Sequence, residues 1–139
     1  MPQQRVTDVT PVLQPAEEIR LPAETSSAQR SRRLVRSALE SWGLGGQGEV
    51  VELLVGELVA NAVRHAGGDD IGLRALRGQG RVRVEVRDLS RVLPCLIMGD
   101  VEDDNGRGLR IVDKLADRWG VDLLARGKSV WFELRVRPL

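Results

Sequence analysis

The sequence predicts an α+β fold, a two-layer sandwich in which helices cover one face of a mixed, largely antiparallel sheet. Three observations predict it. The segments run strand, helix, helix, hairpin, long loop, helix, hairpin, so strands adjacent in sequence pair directly and do not alternate singly with helices. The helical segments carry apolar stripes suited to packing on a sheet. Val82, Val84 and Val86 alternate with Arg81, Arg83, Glu85 and Arg87, which gives that strand one buried and one wet face.

Composition narrows the function classes. A chain of 139 residues fits one domain. At that length it buries roughly 68% of its unfolded surface, enough to fold without a metal or disulfide. Three Trp and one Phe are the only aromatics, so the core falls to Val, Leu, Ile and Ala. With 21 basic and 20 acidic side chains, the net charge of +1 creates no general field for nucleic acid or an anionic membrane. Neither direct nucleic-acid binding nor membrane binding is expected. The single cysteine, Cys95, has no disulfide partner and no companions for a zinc site. No apolar run approaches a membrane span and no signal-like leader opens the chain, so it reads as cytoplasmic.

Residues 1–16, rich in Pro, Gln and Thr, show no periodicity and read as a disordered leader before a domain spanning 17–139. In "EEIRLPAE", Ile19 and Leu21 alternate as a short edge strand that Pro22 ends. The first helix starts at Thr25, Ser26 and Ser27, and Gly43 stops it. Its stripe is Leu34, Val35, Ala38, Leu39 and Trp42. Arg30, Arg32, Arg33 and Arg36 fall mainly off that stripe, as a solvated basic face or as a docking surface for an acidic partner. "EVVELLVGELVANAVRHAGG" is the second helix, apolar over most of its circumference and ended by Gly67 and Gly68. "IGLRALRGQGRVRVEVRD" is a hairpin turning at Gly78 to Gly80. Residues 89–105 form no clear element, and loops of that length in small domains are usually lids or binding loops. The third helix follows from "EDDNGRG", with Leu109, Val112, Leu115, Ala116 and Trp119 as its stripe. Two strands close the chain around a Gly127–Lys128 turn.

Four features carry candidate chemistry. Glu57, Asn61 and His65 recur every four residues on the second helix and so stand in one column. A carboxylate at the rim of an apolar helix can serve as a general base. An amide oxygen one turn away suits Mg²⁺, which keeps waters and phosphates as its other ligands. The same column also reads as buried polar groups capping neighbouring loops. In "NGRGL", Gly106 and Gly108 sit where a loop becomes a helix, so free N–H groups and the helix dipole favour an anion, with Arg107 adding charge. The alternative is a flexible helix start. Asp88 falls on the buried face of its strand and can accept an adenine amino group's hydrogen bond, or cap the following turn. Ser129 opens the last strand and can orient a water beside the same base.

Taken in order, "ELVANAVRH", "VEVRD", "GRGLRIVDKLADRWGV" and "GKSVWFEL" resemble the GHKL (histidine kinase-like) ATPases. The resemblance runs from about residue 17 to the C-terminus, and it is nearest to anti-sigma-factor serine kinases and actinobacterial ATP-binding regulators. It implies the Bergerat ATP-binding fold, with ATP and Mg²⁺ as ligands. Carried over residue by residue, it makes Glu57 the catalytic base and Asn61 the Mg²⁺ ligand. The ATP contacts become Asn61, Arg64, Asp88, Gly106, Arg107, Gly108, Leu109 and Ser129. It implies an ATP-binding regulator with serine/threonine kinase activity toward an anti-sigma-factor antagonist, with the antagonist, a sigma factor or both as partners; the anti-sigma members of the family often form homodimers. A nucleotide-dependent binding switch without transfer is the alternative. The family's DxGxG is here "DLSRV", and Asp103, Asp104 and Asn105 stand where such kinases often carry an arginine.

Overall fold

The computed structural model describes residues 17–66, 68–90 and 104–135, and of 104–108 only the backbone. The leader, Gly67, Cys95 and residues 91–103 of the expected lid lie outside them. The elements are β1 (Ile19–Leu21), α1 (Ser26–Ser41), α2 (Gly48–His65), β2 (Ile71–Gly78), β3 (Arg81–Asp88), α3 (Asp104–Leu115), β4 (Arg118–Leu123) and β5 (Lys128–Arg135). The fold is α+β, a five-stranded sheet in the order β1-β2-β3-β5-β4 with the helices packed on it. Every pairing among the described residues is antiparallel, so the sheet is more uniform than the mixed one expected. Two of its pairings, β2–β3 and β4–β5, are short hairpins, for which antiparallel is the only geometry.

The core follows from two periodicities. From the sheet come Leu21, Ile71, Leu73, Val82, Val84, Val86, Val130, Phe132 and Leu134. From the helices come Val35, Leu39, Val51, Leu54, Val55, Leu58, Val59 and Ala62. The α1 stripe is displaced from the one expected: Ser27, Ser31, Val35 and Leu39 are its buried residues, at spacings of four. Ser27 fits there because its Oγ donates to the Pro22 carbonyl at 2.6 Å, while Ser31 Oγ has no partner among the described residues. Gly43, at φ +75°, ends the helix, with Leu44 N–H returning to Leu39 O and Gly43 N–H to Glu40 O. That is the Schellman pattern, and it is open to glycine because the left-handed conformation costs it nothing.

Half of the basic face of α1 is spent on α2. A Cβ at Gly56 would lie 2.5 Å from the Arg32 guanidinium, and one at Gly48 would lie 2.6 Å from that of Arg36. The two glycines thus let the arginines lie flat on α2. Arg36 donates to Glu52 and pairs with Glu40 at 3.4 Å, and the Glu52 hydrogen bond raises its guanidinium further above its ordinary range. Arg30 and Arg33 stay exposed. Among the described residues no helix is long and apolar enough to cross a membrane.

Trp119 departs from the expected helix stripe. Helix α3 ends at Leu115, and Trp119 lies in β4 opposite Phe132. Its indole still reaches α3, donating to Asp113 Oδ1 at 2.8 Å.

The wet face of the sheet is less wet than its charges suggest. Glu133 is 1% exposed, bonded to Arg83 at 2.8 Å and flanked by Arg81 at 3.6 Å and Arg118 at 3.4 Å. Arg83 also lies over the Trp131 ring at 4.0 Å. Gly120, opposite Trp131, leaves room for that ring, since a Cβ there would meet it at 2.7 Å. Glu133→Ala removes the one carboxylate common to three guanidiniums, and Arg83 is itself largely buried. The expected cost is about 3 kcal/mol, the lower end for breaking a buried pair, because Arg118 can return to water. Urea denaturation measures it, and a loss below about 1 kcal/mol would show these charges to be solvated.

Candidate functional site

Helix α2 packs on β3 and β5 and against α3, so the elements that carry the other candidate features each touch the helix of Glu57 and Asn61. Along the column, Glu57 is half-buried, Asn61 is buried and His65 is half-buried in the last turn. Among the described residues neither Oδ1 nor Nδ2 of Asn61 has a hydrogen-bond partner. A buried polar group left unpaired costs about 1–3 kcal/mol, and native interiors avoid it unless the group has another use. The capping role is therefore not what Asn61 performs among the described residues. His65 is already engaged with its surroundings, and so is Arg64, exposed beside it. Among the described residues no group of three or more His, Cys, Asp or Glu could hold a metal. A Mg²⁺ bound through one amide oxygen and substrate phosphates needs no such group, so Asn61 fits the ion the family implies.

At the far end of β3, Asp88 caps the following turn, one of the two readings weighed for it. Its Oδ1 accepts from the Ser90 N–H at 2.8 Å, the turn cap, and from Lys128 Nζ at 3.0 Å. Its Oδ2 is buried and has no partner among the described residues. The unused oxygen leaves an acceptor available for a ligand's amino group. Gly127, at φ +81°, sits against the Asp88 backbone, where any Cβ would overlap the Asp88 carbonyl oxygen. Only glycine brings the start of β5 this close.

The structure does not bring Ser129 to Asp88. Directly opposed strand residues share a face, and the register pairs Asp88 with Lys128 and Arg87 with Ser129. Ser129 thus opens onto the other side of the sheet. It lines a depression of about 180 Å³ together with Glu18, Arg74, Glu85, Arg87 and Asp122. Charges there are already paired, Arg87 with Glu18 at 3.2 Å and Arg74 with Glu85 at 3.4 Å. Lys128, read from the sequence as a turn residue, is instead the first residue of β5 and fully buried on the Asp88 face. Counting back from Val130 and Phe132 in steps of two would have found it.

The glycines of "NGRGL" lie inside α3. The helix begins at Asp104, so Gly106 falls in the first turn, where N–H groups have no intrahelical partner, and Gly108 in the second. Leu109 is buried against the core. The Arg107 side chain is outside the described residues.

Residues 21–134 match the family model of the histidine kinase-like ATPase domain. The chain belongs to that family. Histidine kinase-like ATPase domains are ATP-binding domains, and the likeness extends to solved structures. One is the crystal structure of the RsbU and RsbW domains of Rv1364c from Mycobacterium tuberculosis, with a TM-score of 0.64 and 23% identity. The match covers 90% of this chain and 33% of that one, so the chain spans about a third of the solved protein's length. At this identity the likeness is one of fold. No curated protein gives a match.

Proposed function

We propose that this domain binds ATP with Mg²⁺ and acts as a regulator of transcription, phosphorylating a serine or threonine on an anti-sigma-factor antagonist. The observation that carries the ATP site is Asn61, a buried amide with both polar atoms unspent, one helical turn from Glu57. The resemblance to anti-sigma-factor kinases and the fold shared with an RsbW domain support the choice of reaction.

In this reading Asn61 offers its amide oxygen to Mg²⁺, and Asp88 accepts a hydrogen bond from the adenine amino group through Oδ2. The N–H groups of the first turn of α3, that of Gly106 among them, face the phosphates, with Arg64, Arg107 and Leu109 beside them. Mg²⁺, when bound, neutralises phosphate charge. Glu57 takes the proton from the acceptor hydroxyl as its oxygen bonds to the γ-phosphorus, and the bond from that phosphorus to the β–γ bridging oxygen breaks to release ADP. Ser129 has no part in this site, because it lies across the sheet. The partners are the antagonist and a sigma factor, with a homodimer as the assembly and the cytoplasm as the setting.

Calorimetry of ATP with and without Mg²⁺ tests the site. The wild type is expected to bind ATP more tightly with Mg²⁺, and Asn61→Ala to bind it equally with and without the metal, circular dichroism confirming the fold. An undiminished Mg²⁺ effect in Asn61→Ala would remove Asn61 as the ligand. The run Asp103–Asp104 ahead of the glycines motivates a second reading, a nucleotide-dependent switch without transfer. Tight ATP binding with no phosphoserine on any antagonist would favour it.

A further inference from the structure

We propose that Lys128 is a base-reading residue, which with Asp88 forms a donor–acceptor pair matching the Watson–Crick edge of adenine and rejecting a 6-oxopurine. This rests on the nucleotide reading above and adds to it the residue that sets the choice of base.

Adenine presents an acceptor at N1 beside a donor at its amino group, while a 6-oxopurine presents N1–H and a carbonyl, the reverse order. An ammonium only donates and a carboxylate only accepts. Lys128 Nζ has three protons. One goes to Asp88 Oδ1 at 3.0 Å and a second is directed at the Ser90 carbonyl at 3.4 Å. Among the described residues a third remains, and beside it Asp88 Oδ2 is a buried acceptor with no partner there. Both side chains are 0% exposed, and Gly127 presses the two strand ends together, so donor and acceptor are held side by side. Ser129, the other polar side chain at this strand start, faces away and cannot supply the donor.

Stability alone is a poor reason for this lysine. A buried ion pair gains little over an apolar pair of the same volume, because desolvating two charges offsets their attraction. A pair with one proton and one lone pair left over has the composition of a reading head.

The test is equilibrium binding to the full chain of ATP, 1-deaza-ATP (which keeps the amino group but has C–H for N1) and inosine triphosphate. Discrimination per well-placed contact pair runs at about 10–100-fold. The wild type is expected to bind 1-deaza-ATP about 10-fold more weakly than ATP, and inosine triphosphate about 100-fold more weakly. In Lys128→Met, once folded, the 1-deaza penalty is expected to vanish. Equal wild-type affinity for ATP and 1-deaza-ATP overturns the role of Lys128 and leaves the ATP site standing. A penalty undiminished in folded Lys128→Met overturns it as well. Absence of ATP binding takes down the nucleotide reading and this assignment with it. The wild-type comparison needs no variant to fold, so it decides the matter even if Lys128→Met does not.

Discussion

Glu57→Ala is expected to lower phosphotransfer by about 10²–10⁴-fold, the usual contribution of a positioned general base, while ATP affinity stays within a few-fold. The split follows from where Glu57 stands. It is half-buried on α2, one turn before Asn61, and among the described residues no ion pair holds its carboxylate. A carboxylate so placed can turn toward an acceptor hydroxyl without giving up a structural bond. Among the described residues no bond of the fold depends on it, so the variant should melt close to the wild type. The measurement pairs labelled-ATP transfer to a candidate antagonist with calorimetry on the same preparations. Transfer at the wild-type rate in Glu57→Ala would remove the residue from the chemistry. Transfer absent from both proteins, with ATP bound by both, would support the switch.

Alternation made the sheet readable from the sequence. The alternation of Val82, Val84 and Val86 puts Asp88 on the core face, and the structure has it there. The same rule, not carried into β5, would have exchanged Ser129 for Lys128. A shift of one residue reverses the face of every side chain in a strand, so a resemblance matched one position out lands on the wrong side of the sheet. Lysine after glycine looked like turn chemistry because its burial depends on a carboxylate forty residues away. Glu133 escaped notice for a related reason. A charge in an alternating polar position reads as solvated until the arginines of two neighbouring strands are known to close over it. Ser27 and Ser31 fall outside a stripe sought in apolar residues; Ser27 is buried because the Pro22 carbonyl accepts its proton, whereas Ser31 is buried at the same spacing with no hydroxyl partner among the described residues. The Glu57–Asn61 spacing was visible at once. That Asn61 has no partner was not, because satisfaction of a polar group is a property of its surroundings.

Asp88→Ala is expected to be the most damaging single change to the fold. It leaves the Lys128 ammonium with no counter-charge at a position of 0% exposure, and among the described residues its other contact is the Ser90 carbonyl at 3.4 Å. Removing one partner of a buried pair costs about 3–5 kcal/mol, because the remaining charge stays desolvated. For a domain of this size that lowers the melting temperature by roughly 10 °C or more. Lys128→Met strands the carboxylate in the same way and should cost a similar amount. The double variant Asp88→Leu with Lys128→Met buries no charge at all, and it should recover most of the loss in either single variant. A double-mutant cycle therefore gives a large coupling between two residues that contact each other across the ends of β3 and β5. If the two single costs simply added in the double variant, the charges would be reaching water and the pair would not be buried in solution. Recovered stability should not restore nucleotide binding, since the double variant has neither the acceptor nor the donor. Stable protein that no longer binds ATP would separate what the pair does for the ligand from what it costs the fold.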